Sequence, residues 1–156
     1  MKVELVKGGG GYHYIILPEE LAQPLYERKV KRVLCRINDQ LNVHSALTRS
    51  KTRGFSIMLG KRILKQLDVE AGDLLEVEIS EDHSPNQFEE SVVLKEVLST
   101  DWEAQEIWDK LSPGRKRSLT YLIIQVKSVD KKIERALKIA ENIKLGISDP
   151  RKVLKG

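Results

Sequence analysis

The sequence has one cysteine and no long apolar run. Cys35 is the single cysteine among 156 residues and cannot form an internal disulfide, so nothing indicates an oxidising compartment. No apolar stretch approaches the roughly 20 residues that cross a bilayer, and charges interrupt the first residues before a signal-peptide core could form. We therefore expect a cytoplasmic protein that does not insert into a membrane.

Aromatic residues are also few. They make up 5% of the chain, against 40% hydrophobic and 32% charged residues. This composition is typical of a folded globular protein, and the length allows one or two small domains. The scarcity of aromatic side chains argues against a stacking platform for single-stranded nucleic acid.

No set of residues has the spacing of a catalytic or metal site. His13, His44 and His83 lie far apart, and none has a cysteine or a carboxylate at ligand spacing. Cys35 falls on the apolar phase of a strand, which is typical of a core residue and not of a nucleophile. The sequence therefore predicts no catalytic residue, no metal and no cofactor, in a protein that is not an enzyme.

Positive charge is concentrated near the C-terminus. Residues 110–156 hold thirteen Lys and Arg against four Asp and Glu, a net charge of +9, whereas residues 1–109 carry −5. Such a distribution favours either an anionic partner for the basic segment or packing of the two parts against each other.

An internal repeat organises the N-terminal half. Seven pairs of apolar residues coincide at an offset of 42 residues: Ile15 with Ile57, Leu17 with Leu59, Leu21 with Ile63, Leu25 with Leu67, Val33 with Leu75, Cys35 with Val77 and Ile37 with Ile79. In both copies the spacing changes in the same order, from a strand to a short helix to an alternating strand. Neither copy has enough apolar surface to fold alone, so we expect the two to pair in one β structure.

The second copy contains a helix–turn–strand segment, Leu67 to Val77, in which Gly72 can take a positive φ. This segment resembles the hairpin of AbrB-type double-split β-barrels, in which two such halves, usually from two chains, form one barrel. With both halves in one chain, the resemblance implies a barrel that closes within a monomer. In the first copy Lys29 and Val30 replace Ala71 and Gly72, so its turn must differ.

Helical periodicity begins near residue 100. Ser112 as N-cap and Pro113 in the first turn predict the start of a helix, and Gly146 predicts the end of a later one. The side chains that we expect these helices to bury recur at helical spacing. They are Ala104, Ile107, Trp108, Leu111, Leu119, Leu122, Ile123, Val126, Ile133, Ala136, Leu137, Ala140 and Ile143.

These patterns predict an α+β fold with two parts. Residues 1–95 should form a small closed β-barrel from two pseudo-repeats, with an additional strand at Ser91–Leu94. Residues 96–147 should form two to three basic helices, and residues 148–156 a frayed tail.

The helical part also resembles a known family. The run Leu111 to Arg117, followed by Tyr121, Ile124 and Lys127, is similar to the Leu-Ser-Pro-x-x-basic-basic motif of the bacterial YdeI/OmpD-associated family, also called bacteriocin-protection. Such domains commonly follow a small β domain of unknown function. Val126 departs from the family pattern, which has Ala there, and Lys131 and Glu134 stand where it has Thr and Arg. The resemblance implies an uncharacterised function.

Three cations open the helix that follows Ser112. A helix start has free backbone N–H groups and a positive dipole end, so cations there disfavour the helix and an anion would be bound. The candidate anion-binding residues are Arg115, Lys116, Arg117, Lys127, Lys132 and Arg135. Two interpretations stay open, an external anion and a clamp onto the acidic β domain.

We therefore predict a binding or adaptor protein without catalysis, whose unidentified ligand meets the barrel or the basic helical face; on the first of the two open interpretations, an anionic macromolecule binds the basic helices. The alternative is a nucleic-acid-binding, AbrB-like regulator, which would add Arg49, Lys51 and Arg53 to the phosphate contacts. Because both halves of the β domain lie in one chain, we expect a monomer.

Overall fold

The computed structural model describes residues 1–155, which form two compact units that divide between Gln87 and Phe88. The first unit contains strands β1 (Lys2–Lys7), β2 (His13–Ile16), β3 (Arg32–Ile37), β4 (Leu41–Ala46), β5 (Thr48–Ser50), β6 (Gly54–Leu59) and β7 (Leu74–Glu81), with helices α1 (Glu19–Glu27) and α2 (Lys61–Leu67). The second contains α3 (Val92–Ser99), α4 (Trp102–Lys110), α5 (Pro113–Ile124) and α6 (Val129–Lys144). The predicted α+β class is confirmed.

The strands form one antiparallel sheet in the order β4-β3-β7-β1-β2-β6-β5. Its register follows the repeat. In the β2–β6 ladder Ile15 lies opposite Ile57, and in the β3–β7 ladder Arg36 lies opposite Glu78. Each of these residues faces the one that is 42 positions away, as a two-fold axis between the two copies requires. This register is the one that the predicted duplication requires.

The remaining ladders are related by the same offset of 42 residues. Val3 lies opposite Leu75 where β1 pairs with β7, and its equivalent Ser45 lies opposite Val33 where β4 pairs with β3. The β1–β2 register likewise matches that of β5 and β6. Strand β1 of the first copy thus corresponds to β4 and β5 together in the second.

The closed barrel that we predicted is not supported. Strands β4 and β5 are the two edges of the sheet, and no strand ladder in the described residues joins them. They follow each other in the chain with Leu47 between them, and the Leu47 N–H donates to Lys31 O at 2.9 Å. The strand that would close a barrel is therefore divided, and the sheet remains open.

The core of the first unit is built from the alternating strands. Val33, Cys35 and Ile37 in β3, with Leu75 and Val77 in β7, have at most 1% of their surface exposed. Burial of such side chains stabilises a fold by roughly 1.5–3 kcal/mol each. The same burial raises the pKa of the Cys35 thiol to about 12, which keeps it protonated and confirms the prediction of a core residue.

The two helix-to-strand turns differ, as predicted. After α1, Lys29 takes a positive φ of 63° and Val30 N donates to Leu25 O. After α2, Gly72 takes a φ of 97° and its N–H donates to Leu5 O at 2.8 Å. The second turn thereby joins the sheet, which requires a conformation that favours glycine.

In the second unit, the predicted N-cap of α5 is confirmed, whereas the predictions for residues 91–94, for the buried face of α6 and for the tail are wrong. Ser112 Oγ accepts a hydrogen bond from Arg115 N at the start of α5, and Gly146 follows α6 with a φ of 83°. Residues 91–94 are not a strand. Ser91 caps α3 instead, and Leu94 and Leu98, one helical turn apart, are buried.

The buried face of α6 differs from the predicted one. Ala136, Ala140 and Ile143 are buried as expected, but Ile133 and Leu137 are 40% and 52% exposed, and Ile139 takes their place in the core. The helix has two neighbouring apolar stripes, and the sequence alone does not show which of them meets α3, α4 and α5.

The tail after α6 is not frayed over its described residues. Val153 is fully buried, and its carbonyl oxygen accepts a hydrogen bond from Asn142 Nδ2. Its N–H donates to Asp149 O at 2.8 Å. One apolar side chain in a charged segment was a weak signal, but its burial and these hydrogen bonds together fix the tail. Within residues 1–155 no helix combines the length and apolarity needed to span a bilayer.

Candidate anion-binding site

Three basic side chains surround a cavity of about 610 Å³ in the first unit. They belong to the hairpin that joins β5 to β6: Arg49 lies in β5, and Lys51 and Arg53 lie in the turn. The remaining lining residues are Leu17, Glu19, Ser50, Gly54 and Phe55.

The hairpin turn is closed by local chemistry. Ser50 Oγ accepts a hydrogen bond from Arg53 N at 2.9 Å, and Gly54 takes a φ of 70°, which returns the chain into β6. Because the turn is short and fixed at both ends, the side chains of Lys51 and Arg53 start from defined backbone positions beside the cavity.

Aromatic rings hold the two arginines. The Arg49 guanidinium carbon lies 5.3 Å from the ring centre of Tyr26 and 5.4 Å from that of Phe55. The Arg53 guanidinium carbon lies 3.9 Å from the ring centre of Tyr14. An aromatic ring stacked on a guanidinium stabilises the contact by roughly 0.5–1 kcal/mol at an exposed site. The N–H groups at the edge of the guanidinium plane stay available to an acceptor.

The three cations have no carboxylate partner. Among the described residues, no ion pair joins the side chain of Arg49, Lys51 or Arg53 to an acid, and Arg53 Nε is buried without an acceptor. Elsewhere in the same unit, Arg28 pairs with Glu81 at 2.5 Å. Paired cations serve the fold, whereas three unpaired cations around one cavity can bind an oxyanion.

The other copy of the repeat shows that the hairpin does not need these charges. At the equivalent positions β1 and β2 are joined by the glycine run Gly8–Gly11, and the position of Arg49 is taken by Lys7. Comparison of the two copies at this offset was the sequence signal that could have located the site. The sequence named Arg49, Lys51 and Arg53 for a phosphate, but it did not find Tyr14 and Tyr26.

A second polar cluster lies at the end of β7. Asp82 is 2% exposed and accepts hydrogen bonds from Ser84 Oγ at 2.5 Å, from Ser84 N at 2.9 Å and from His44 at 2.7 Å between Nδ1 and Oδ2. Burial alone would raise the pKa of Asp82, but the hydrogen bonds from Ser84 and His44 outweigh it and hold that pKa below its usual value.

This cluster does not have the geometry of a catalytic triad. Ser84 Oγ lies 3.3 Å from His44 Nδ1, the same nitrogen that contacts Asp82, and it donates to the carboxylate. A serine nucleophile needs the opposite nitrogen of the imidazole as its base. His83 is exposed, with its Nε2 3.8 Å from Glu81. No group of three or more potential ligands that could hold a metal occurs in the part of the chain that the structure describes.

Arg115 and Arg135, both predicted to bind an anion, make hydrogen bonds inside the second unit. Arg115 Nη1 donates to Ser148 O at 2.8 Å, which ties the tail to α5. Arg135 Nη1 donates to Leu122 O at 2.7 Å, which satisfies a carbonyl in the last turn of α5. The other four predicted residues differ in exposure. Lys127 is exposed between α5 and α6, and Lys116, Arg117 and Lys132 are half-buried on the helices.

Comparison with known proteins assigns both units to families. Residues 2–79 match the family described as Domain of unknown function (DUF1905), which covers half of the chain. Residues 88–146 match the family described as Bacteriocin-protection, YdeI or OmpD-Associated, so that predicted resemblance is confirmed, whereas the AbrB-like barrel is not. No curated protein and no solved structure matches the chain. The chain therefore belongs to the DUF1905 family, and its second unit carries the bacteriocin-protection, YdeI or OmpD-associated region.

Proposed function

We propose that this protein is a non-enzymatic binding protein of the YdeI/OmpD-associated type, and that its ligand is a small organic anion held in the cavity between α1 and the β5–β6 hairpin. The observation that carries the proposal is the set of three cations, Arg49, Lys51 and Arg53, which line one cavity without a carboxylate partner in the described residues.

Size and charge support a small organic ligand. A cavity of about 610 Å³ lies within the range of roughly 300–1,000 Å³ that is usual for small-molecule sites. The apolar side chains of Leu17 and Phe55 lie beside the cations, so the wall offers contacts to carbon as well as to oxygen. Guanidinium groups bind oxyanions through paired N–H donors, and the rings beneath them reduce the entropy lost on binding.

The proposal assigns no chemistry to the site. A hydrolase would need a nucleophile and a base beside the oxyanion donors. The lining residues include Ser50, whose Oγ accepts from Arg53 N, and no histidine or cysteine. Binding without turnover is what these side chains support.

Phenyl phosphate tests the proposal, because it combines a dianion with an apolar ring. We expect it to shift the backbone amide signals of residues 48–55 in the full-length protein. Arg49→Ala should weaken binding roughly tenfold or more, as loss of a hydrogen bond between charged groups costs about 1.5–3 kcal/mol.

Lys7→Ala is the matched control, since Lys7 occupies the equivalent position in the other copy and carries the same charge. It should leave the affinity unchanged. Absence of any shift at millimolar phenyl phosphate would overturn the proposal. If a DNA duplex bound instead, with contacts on α5 and α6, the nucleic-acid-binding alternative would replace it.

A further inference from the structure

One carboxylate lines the same cavity as the three cations. Glu19 lies in the first turn of α1, where a negative charge is favourable because of the helix dipole. It is exposed, and among the described residues no ion pair joins it to Arg49, Lys51 or Arg53. The cavity wall therefore carries charges of both signs that are held apart.

Some opposite charges elsewhere in the same unit do pair. Arg28 and Glu81 come from different elements and pair at 2.5 Å, and the Met1 amino group pairs with Glu76. Exposed ion pairs contribute only about 0–1 kcal/mol each, so a ring contact of similar strength can compete with them for a guanidinium group. The two arginines beside Glu19 lie against aromatic rings instead, which keeps their guanidinium groups away from the carboxylate.

We propose that the ligand is bipolar, with a doubly charged phosphate ester at one end and an ammonium or another N–H donor at the other. The phosphate would bind Arg49, Lys51 and Arg53, and the donor would bind Glu19. This inference rests on the proposed function and adds the class of ligand to it.

The charge of the wall fits such a ligand. Three cations and one carboxylate give the wall a net charge of +2. The phosphate dianion of the ligand would lie opposite the three cations and its ammonium opposite Glu19, so the ligand's net charge of −1 is opposite in sign to that of the wall. Leu17 and Phe55 also line the cavity and offer an apolar surface to the carbon chain between the two ends. An inorganic phosphate would leave most of a cavity of about 610 Å³ empty, and a monocarboxylate would offer no donor to Glu19.

Two probes that differ by one group test the inference. 3-Aminopropyl phosphate has both ends, whereas propyl phosphate lacks the amine. We expect the wild-type protein to bind the amine-bearing probe about five- to tenfold more tightly in calorimetric titration. That ratio is of the size expected for one added charge-assisted hydrogen bond at an exposed site.

Substitution of the carboxylate should remove this preference. Glu19→Gln keeps the shape of the side chain, so both probes should bind it with similar affinity, and propyl phosphate should bind no worse than to the wild type. Glu20→Gln is the matched control, because Glu20 is the next residue in the same turn and does not line the cavity. It should keep the full preference.

The outcomes separate this inference from the proposed function. If both probes bind the wild type equally, or if Glu19→Gln keeps the preference, the bipolar ligand is wrong while an anion site remains. If neither probe shifts residues 48–55, the anion site itself is wrong and the inference falls with it.

Discussion

At the scale of single residues, Asp82 shows how one buried carboxylate fixes a loop. Its side chain accepts three hydrogen bonds, from Ser84 and from His44 on the edge strand β4. Its own N–H donates to Arg32 O, and its carbonyl accepts from Gln87 Nε2. This aspartate, together with the bond from Arg32 Nε to Gln87 O, therefore holds the residues between β7 and the end of the first unit to β3 and β4.

Asp82→Ala should lower the free energy of unfolding of the first unit by roughly 2–3 kcal/mol at pH 7, because it leaves buried donors without an acceptor. The folded-state pKa of Asp82 lies below 3.8, so its contribution is present above that pH and is lost as the pH falls through the folded-state pKa. The difference between the wild type and the variant should therefore shrink below pH 3.8.

Urea titrations followed by circular dichroism at pH 7 and at low pH check this prediction. Both tryptophans, Trp102 and Trp108, lie in the second unit, so their fluorescence does not report on Asp82. Glu4→Ala removes an exposed carboxylate from β1 and should change stability by less than about 0.5 kcal/mol. A constant difference across the pH range would contradict the assigned role.

Arg135 shows how a basic residue of the predicted site can serve the fold. Because its guanidinium donates to Leu122 O, Arg135→Ala should destabilise the second unit by about 1–2 kcal/mol. Lys132→Ala, three residues earlier on α6, should cost less than about 0.5 kcal/mol. Tryptophan fluorescence during urea unfolding measures both. Equal and negligible effects would restore Arg135 to the surface cluster that the sequence predicted.

At the scale of elements, the sequence predicted those helix starts and strands that depend on neighbouring residues alone. Ser112 and Pro113 determine the start of α5 because a hydroxyl and a fixed φ are sufficient at a helix N-terminus. The strands of both copies were equally predictable from alternation. The α3 helix was not, because Ser91–Leu94 has the apolar content of a strand, and a helix was recognisable only from Leu94 and Leu98 together.

The face of α6 and the tail could not be predicted for a different reason. Ile133, Leu137 and Ile139 are all apolar, and only the packing against other helices decides which of them is buried. The burial of Val153 likewise depends on a contact with α6 that no short-range pattern encodes. The candidate site was predictable in its cations and not in its rings, because Tyr14 and Tyr26 come from other elements.

At the scale of the whole molecule, the repeat determines the sheet of the first unit. The β2–β6 and β3–β7 ladders are symmetric about Ile15–Ile57 and Arg36–Glu78, and each of the other ladders has an equivalent: β1–β7 matches β3–β4, and β1–β2 matches β5–β6. The offset in the sequence predicted this pairing before any distance was known. It could not predict that the strand equivalent to β1 divides at Leu47, because both copies have a leucine there, Leu5 and Leu47.

The same symmetry predicts the state of the protein in solution. Strand pairs β2–β6 and β3–β7 join the two copies within one chain, so no second chain is needed to complete the sheet. Light scattering with size-exclusion chromatography should therefore give a mass near 17.8 kDa, unchanged by tenfold dilution. A stable species of twice that mass would contradict this prediction. It would show that two chains exchange equivalent strands, which the matching registers of the two copies allow. Intramolecular pairing should prevail, because the copies are connected by the short turn between β3, which ends at Ile37, and β4, which begins at Leu41, and this turn keeps them at a high effective concentration.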